Sequence, residues 1–157
     1  MRLLCVFGTR PEAVKLAPVL LALNREESVE TRICVTGQHR ALLDGVLDFF
    51  GLTPDRDLDL MRPGQAPNNL LARAIAALDR VLADERPDRV IVQGDTSSAL
   101  AATLAAFHRR IPIAHVEAGL RTYRPAAPFP EEINRRAIAL AADLHFAPTA
   151  AARANLE

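Results

Sequence analysis

The sequence predicts a single α/β domain, a three-layer α/β/α sandwich built on a mainly parallel sheet. Short apolar runs alternate along the chain with helical patterns, which is the arrangement typical of such a sheet. Right-handed crossovers join successive strands of this kind and place helices on both faces. A chain of 157 residues is long enough for one full hydrophobic core, and one domain is therefore expected.

The first half of the chain predicts two strand–helix pairs followed by a polar stretch. A strand over 3–7 precedes a helix over 11–23, which has Pro11 in its first turn. A strand over 31–35 precedes a helix with an apolar stripe that ends before Gly51. The stretch 53–67 is rich in Pro, Asp and Gly, and a short strand is predicted around Leu58 and Leu60.

The second half continues the alternation. A helix capped by Asn68 or Asn69 is predicted to run to about residue 84, and a strand over 89–92 follows Pro87. The remaining predicted elements are a helix from 96 or 97 to 109, a strand over 111–116, a helix over 131–142, a strand over 144–147 and a helix opening at 149. Between 119 and 130 lies a long Pro-rich loop, which is unusual in a compact domain unless it is functional.

Composition excludes several classes of protein. Formal net charge is zero, with 19 basic and 19 acidic residues, which argues against nucleic acid or an acidic membrane as a partner. Cys5 and Cys34 lie in apolar runs and are expected to be reduced core thiols, and His115 is expected to be a hydrogen-bonded core residue. No Cys/His spacing suits zinc, and no apolar stretch is long enough to span a bilayer. We therefore expect a soluble cytoplasmic protein.

The turn Gly8-Thr9-Arg10-Pro11-Glu12 joins the first strand to the first helix. Glycine permits close approach of the backbone, the helix N-terminus offers N–H groups to an anion, and Arg10 could donate to a phosphate. The alternatives are a tight turn with an exposed Arg10 and, one helical turn further on, a solvated Lys15. Gln38 and His39 follow the second strand at the same edge, where a ligand contact and a plain loop are equally open.

Three acidic residues follow strands or open a helix where a parallel sheet would present them to a ligand. In open parallel sheets, ligands bind beyond the carboxyl ends of the strands. Asp95, Glu117 and Glu131 stand at such positions and suggest proton chemistry on a small molecule. Each has a structural alternative. Asp95 could cap a helix, Glu117 could pair with Arg121, and Glu131 could complement the helix dipole and pair with Arg135.

Five segments together resemble the non-hydrolysing UDP-N-acetylglucosamine 2-epimerases. They are Phe7-Gly8-Thr9-Arg10-Pro11-Glu12-Ala13, Val35-Thr36-Gly37-Gln38-His39-Arg40, Gln93-Gly94-Asp95-Thr96, His115-Val116-Glu117-Ala118-Gly119-Leu120-Arg121-Thr122 and Pro130-Glu131-Glu132-Ile133-Asn134-Arg135. They are spread over nearly the whole chain in the family's order and spacing. The resemblance implies a Rossmann-like domain, one half of a two-domain glycosyltransferase-B-type fold with its active site between the domains. It places 1–157 as the N-terminal domain, without the C-terminal domain that holds most of the UDP.

The resemblance also implies an activity for the full-length protein. UDP is eliminated from UDP-GlcNAc to leave 2-acetamidoglucal, and it adds back after C2 is reprotonated on the other face, which gives UDP-ManNAc. Removal and return of the C2 proton need positioned groups, and the family's catalytic acids match Asp95, Glu117 and Glu131, with the base among them left open. The residues that match its substrate-binding positions are Gly8, Arg10, Lys15, Gln38, His39 and Arg135. No cofactor and no metal are implied, the ligands are UDP-GlcNAc and UDP, and the full-length protein is expected to be a homodimer.

Two other functions stay open at this point. A hydrolysing relative would share the fold and many of the acids, but would release free ManNAc and UDP. A non-catalytic nucleotide-sugar-binding domain is the third class. Analysis of the products separates the first two, because only the non-hydrolysing enzyme conserves the bond between nucleotide and sugar.

Overall fold

The computed structural model describes residues 1–37, 40–62 and 64–157. The strands of this part are β1 (Arg2–Phe7), β2 (Glu30–Val35), β3 (Arg56–Asp57), β4 (Arg89–Gln93), β5 (Ile113–Val116) and β6 (Leu144–Phe146). The helices are α1 (Arg10–Leu23), α2 (Arg40–Phe50), α3 (Pro67–Glu85), α4 (Ser97–His108), α5 (Glu131–Ala141) and α6 (Ala150–Ala154). No helix within these described ranges is long and apolar enough to cross a membrane.

All strands lie parallel in one sheet, in the order β3-β2-β1-β4-β5-β6. The chain builds outward from β1 through β2 to β3, then returns and places β4 against the other side of β1, with Leu3 opposite Arg89. The strand order therefore reverses between β1 and β4. At such a reversal the connections leave in opposite directions and open a crevice beyond the strand ends, where ligands bind in open α/β sheets.

Helices cover both faces of the sheet, so the predicted three-layer α/β/α sandwich is confirmed. Strand residues alternate between the faces, because successive side chains of a strand point in opposite directions. On one face Cys5 and Phe7 pack with Leu16 of α1 and with α2. On the other face Leu4, Val6, Cys34, Val90 and Val92 pack with α3, α4 and α5. Both cysteines are buried and free, as the sequence predicted.

Several element boundaries differ from the prediction, each for a local reason. The strand predicted from 111 begins at Ile113, because the Ile111 N–H donates to Ala106 O at the end of α4 and Pro112 has no N–H. Helix α3 begins at Pro67 after Ala66, so the predicted cap at Asn68 or Asn69 is wrong. Proline suits the first helical position, since the N–H it lacks would have no partner there.

The strand predicted around Leu58 and Leu60 is also displaced. The two-residue strand β3 lies at Arg56–Asp57. Leu58 and Leu60 follow it and donate their N–H groups to Val35 O and Thr36 O, at 2.9 Å each. The alternation of leucines with acids therefore predicted a strand in the correct stretch of chain, but placed it a few residues too late.

Candidate active site

The carboxyl edge of the sheet gathers most of the predicted site residues. Gly8 follows β1, Asp95 follows β4 and Glu117 follows β5, and these three strands are neighbours in the sheet. Glu131 opens α5, which packs against α4. Charges on Glu131 and Glu117 both raise the pKa of Asp95, so the three carboxylates lie within electrostatic reach of one another.

Gly8 is buried, and its environment explains the glycine without any ligand. A Cβ at this position would collide with Thr36 Oγ1 and come within 2.5 Å of Ser98 Oγ. These two hydroxyls are hydrogen-bonded to each other at 2.7 Å. Close packing of β1 against the ends of β2 and α4 therefore requires glycine here.

Glu12 occupies the anion position at the start of α1. Its Oε2 accepts hydrogen bonds from Gly8 N at 2.9 Å, Thr9 N at 2.8 Å and Thr9 Oγ1 at 2.8 Å. The N–H groups of Gly8 and Thr9, which the sequence offered to a phosphate, are thus already used within the chain. The sequence interpretation missed this residue, although Thr9-Arg10-Pro11-Glu12 has the spacing of a capping box.

Asp95 is half-buried at the end of the turn after β4. Its carboxylate pairs with Arg135 at 2.6 Å, and its backbone carbonyl accepts a hydrogen bond from Asn134 Nδ2 at 2.9 Å. Burial raises the pKa of Asp95 above its ordinary value; Arg135 opposes the shift, and the charges of Glu131 and Glu117 add to it. A carboxyl group with a raised pKa can exchange protons more readily near neutral pH. The helix-cap alternative fails for this residue, because Thr96 caps α4 through its bond with Ala99 N.

Glu117 faces Lys15 across the sheet edge. Lys15 Nζ donates to both carboxylate oxygens, at 2.8 and 2.7 Å, and Gln93 Nε2 donates to Oε2. Lys15 therefore contacts the candidate site, and the partner of Glu117 is Lys15 and not the Arg121 considered from the sequence. Glu117 also has a φ of 62°, in the left-handed region that residues other than glycine seldom adopt. Such backbone strain is concentrated at functional sites.

Two neighbouring acids at the start of α5 have different surroundings. Glu132 is fully buried and accepts hydrogen bonds from Thr122 N at 2.9 Å and Tyr123 N at 3.2 Å. Glu131 is half-buried and adds its charge to the environment of Asp95. Arg135 contacts Asp95 and, at 3.8 Å, Glu132, instead of the Glu131 expected from helical spacing. Its buried Nε has no hydrogen-bond partner within the described part of the chain.

His115 is a core residue, as the sequence predicted. The ring is fully buried, and Nε2 lies 2.7 Å from Gly94 O. Burial lowers the pKa of His115 to about 4, against the opposing effect of the bond with Gly94. The neutral ring therefore donates from Nε2 and links β5 to the turn that carries Asp95.

The other predicted ligand-binding residues lie at the same edge or outside the described ranges. Arg10 is exposed at the start of α1. Gln38 and His39 lie outside the described residues. An open groove of about 550 Å³ lies between α3 and the 119–130 loop, with Ser97, Phe129 and Asn134 in its lining, and none of the three acids lines it. Within residues 1–37, 40–62 and 64–157, no three His, Cys, Asp or Glu side chains are grouped to hold a metal ion.

This arrangement can move protons next to an anionic ligand. Three carboxylates supply proton donors and acceptors, while Lys15, Arg135 and Arg10 supply positive charge at the same edge. The backbone positions of Asp95 and Glu117 are fixed by the ends of the strands that precede them. There, Gly94 N donates a hydrogen bond to Val116 O at 2.9 Å. The edge is open on its outer side, so charges there are partly screened by water.

Comparison with known proteins gives a consistent family. A family model described as UDP-N-acetylglucosamine 2-epimerase matches residues 21–157. The UDP-N-acetylglucosamine 2-epimerases of Yersinia pestis and Neisseria meningitidis are 51% and 47% identical to this chain over 156 residues. Each comparison covers 99% of this chain and 42% of the relative, so the chain spans about two fifths of the length of the curated relatives it matches.

Solved structures agree with the sequence relatives. The UDP-GlcNAc 2-epimerase of Neisseria meningitidis, bound to UDP-GlcNAc, matches with a TM-score of 0.97 at 47% identity, over 99% of this chain and 42% of that one. The UDP-GlcNAc 2-epimerase of Methanocaldococcus jannaschii, in complex with UDP-GlcNAc and UDP, matches with a TM-score of 0.93 at 35% identity and the same coverage.

Proposed function

Because this chain belongs to the UDP-N-acetylglucosamine 2-epimerase family, we propose that it supplies the acid-bearing N-terminal domain of an enzyme that converts UDP-GlcNAc to UDP-ManNAc. The observation that carries the proposal is the group of three acids at the β1–β4–β5 edge, where burial and neighbouring acids raise the pKa of Asp95. The relatives whose structures hold UDP-GlcNAc share this fold over 99% of the chain.

The chemistry requires a proton to leave C2 and another to return on the opposite face. In the first step a base takes the C2 proton, the C2–H electrons form the C1=C2 double bond, and the C1–O bond breaks with its electrons on the diphosphate of UDP. In the second step a proton reaches C2 from the other side, and the same UDP oxygen re-forms the bond to C1. Atoms and charge balance without an oxidant, and the steps need a positioned proton acceptor on one face of C2 and a proton donor on the other.

In this proposal the acidic side chains of the carboxyl edge transfer protons, and the basic side chains stabilise the leaving diphosphate. Asp95, Glu117 and Glu131 supply the proton donor and acceptor, and the assignment of the base among them is left to the experiment. Lys15 and Arg10 stand at the same edge and favour the negative charge that develops on the leaving diphosphate. Arg135 pairs with Asp95 at 2.6 Å and adds positive charge beside the acids. Gly8, Gln38 and His39 complete the proposed binding residues.

Further features belong to this proposal. Residues 1–157 form a Rossmann-like domain, one half of a glycosyltransferase-B-type pair, and the other half holds most of the UDP. The complete protein is a homodimer in the cytoplasm, where the buried free thiols Cys5 and Cys34 stay reduced.

The test uses a completed enzyme, defined as this chain joined to the part of the Neisseria meningitidis relative that it does not cover. With UDP-GlcNAc in heavy water, we expect UDP-ManNAc and deuterium at C2. Asp95→Asn or Glu117→Gln should lower turnover at least about a hundredfold while nucleotide-sugar binding weakens much less. Arg153→Gln, at an exposed position, serves as the matched control. Release of free ManNAc would indicate a hydrolysing enzyme, and near-normal turnover of Asp95→Asn would remove the acid from the chemistry.

A further inference from the structure

Glu12, at the start of α1, accepts hydrogen bonds at both carboxylate oxygens, and the donors come from different parts of the chain. Glu12 is only 1% exposed. Oε2 accepts from Gly8 and Thr9 in the turn after β1, while Oε1 accepts from Thr96 Oγ1 at 2.6 Å in the turn after β4. One buried carboxylate therefore joins two turns that lie 84 residues apart in sequence.

Both turns stand where the strand order reverses. Strands β1 and β4 are adjacent, and their turns diverge from each other, one into α1 and the other into α4. Backbone hydrogen bonds of the sheet stop at the strand ends, so the relative position of the two turns depends on side chains. Glu12 supplies such a contact between the turn after β1 and the turn after β4.

Thr96 connects Glu12 to Asp95, the residue that precedes it in the chain. Its hydroxyl proton goes to Glu12, and its oxygen accepts from Ala99 N at 3.0 Å, so both functions of the hydroxyl are used. Asp95 lies between this anchored threonine and Gly94. Thr96 thus fixes the backbone from which the Asp95 side chain extends toward Arg135.

We propose that Glu12 is a positioning residue, which holds Asp95 in place through Thr96. The inference rests on the proposed function, because Asp95 acts on a substrate only in that case. Glu12 itself is buried and touches no reacting atom. A change at Glu12 or Thr96 should therefore affect catalysis by moving Asp95 and should lose its effect once Asp95 is removed.

A capping role alone would leave one contact unexplained. A capping box needs only the bonds between Glu12 and the start of its own helix, and Oε2 makes all of these. The bond of Oε1 to Thr96 has no place in that motif. Burial raises the pKa of Glu12, and the hydrogen bonds from Thr96, Gly8 and Thr9 oppose the shift. The pKa of Glu12 is raised overall, while the donors from both turns favour its ionised form.

The link itself is tested on this chain by amide NMR, without any activity. Thr96→Val removes the hydroxyl, whereas Thr96→Ser keeps it. We expect Thr96→Val to shift the amide signals of Gly8 and Thr9, because Glu12 relaxes when Thr96 no longer donates, and Thr96→Ser to leave them near their original positions. Thr149→Val is the control, since Thr149 caps α6 through the same kind of bond, to Ala152 N, away from Glu12. Unchanged Gly8 and Thr9 signals in Thr96→Val would overturn the link.

The effect on Asp95 is tested by kinetics of the completed enzyme. Glu12→Asp keeps the carboxyl group but shortens the side chain, so it cannot span both turns. We expect Glu12→Asp and Thr96→Val each to lower kcat about tenfold with KM changed less than about twofold, and Thr96→Ser to restore kcat. In the Asp95→Asn background, neither change should lower kcat further, because effects that act through one residue do not add.

The outcomes separate this inference from the proposed function. A loss of the same factor with and without Asp95 would show a general structural role for Glu12 and overturn the positioning role. If the completed enzyme forms no UDP-ManNAc at all, the proposed function fails and Glu12 positions no catalytic group. The NMR result then still shows whether the two turns are joined.

Discussion

The acidic residues at the carboxyl edge are held by side chains of other helices and strands. Asp95 is held by Arg135 and Asn134 of α5, and Glu117 is held by Lys15 of α1 and Gln93 of β4. Each acid thus depends on an element other than the one that carries it. Substitutions that alter these contacts should change the behaviour of the acids without touching them.

Gly8 gives the clearest test of packing at the residue scale. Gly8→Ala should lower the free energy of unfolding by about 1–3 kcal/mol, because its Cβ would collide with Thr36 and Ser98. Gly45→Ala, in helix α2 with nothing within 4 Å of its Cβ, should raise the free energy of unfolding by about 0.5–1 kcal/mol. Urea unfolding of both variants measures the difference. Equal stability of the two would show that the space around Gly8 is not limiting.

The lowered pKa of His115 makes the free energy of unfolding depend on pH. Its pKa falls from 6.5 in the unfolded chain to about 4 in the folded protein because the ring is buried. The folded state then binds fewer protons, so this contribution to stability is present above pH 6.5 and is lost as the pH falls toward 4. Between pH 7 and pH 5 the free energy of unfolding should drop by about 2 kcal/mol from this residue.

The matched variant for His115 is His115→Gln, which can still donate to Gly94 O but does not titrate. Its unfolding free energy should vary less between pH 7 and pH 5 than that of the original chain. Urea unfolding at the two pH values provides the measurement. Identical pH dependence in both proteins would mean that the pKa of His115 is the same in the folded and unfolded states.

The sequence predicted where the acidic residues lie, but it did not predict which side chains pair with them. Asp95 and Glu117 could be placed at the edge because each ends an apolar run, and strand ends share an edge in a parallel sheet. Glu12 was missed because its spacing also fits a simple helix cap, and nothing local indicates that Thr96 donates to it. The partner of Glu117 was predicted as a near neighbour, whereas it is 102 residues away in sequence.

At the scale of elements, a buried acid bonds the start of the loop before α5 to that helix. Glu132 accepts from the backbone of Thr122 and Tyr123 and lies beside Arg135. The loop's own side chains are largely exposed, including Tyr123 and Phe129. The first turn of this long loop is thus bonded to the helix that it precedes, and Asn155 adds bonds to Tyr123 and Gly119.

Removal of that acid should release the loop. Glu132→Ala should lower the free energy of unfolding by about 2–4 kcal/mol, since it leaves buried donors without an acceptor. Chymotrypsin should also cut faster after Tyr123. Glu131→Gln, one residue away, should change stability by less than about 0.5 kcal/mol. Similar losses in both variants would contradict the separate roles of the two acids.

Strand and helix order followed from the sequence, but boundaries and sheet order did not. Periodicity located the elements because burial of one face imposes it. It could not place the start of β5, which depends on the bond of Ile111 N to Ala106 O in α4, nor the position of β4 beside β1. Both depend on contacts between residues that are distant in the chain.

At the scale of the whole molecule, the candidate site occupies one open edge of the α/β/α sandwich. Both faces of the sheet are covered by helices, while the carboxyl edge carries the acids and an open groove. The chain spans about two fifths of its relatives' length. We expect the remainder to close this edge and exclude water from it.

The chain by itself should not epimerise UDP-GlcNAc. Preorganised groups on both sides of a substrate carry much of the rate, and a water-filled edge weakens each charge interaction. The purified chain in heavy water with UDP-GlcNAc should incorporate no deuterium at C2 at an enzyme-like rate, and its affinity should be weaker than about 1 mM. The completed enzyme in the same assay is the positive control. Turnover by the chain alone would show that it contains the whole site.

The pairing of β1 with β4 has a consequence for how the chain folds. Leu3 pairs with Arg89, so this contact closes a loop of more than half the chain, whereas the other strand pairs join segments closer together in sequence. Long loops close slowly, and non-local pairs form late. We expect β1–β2–β3 and β4–β5–β6 to assemble as separate halves before they meet. Gly8 lies on one half and Asp95 on the other, so the site comes into existence only in the final folding step.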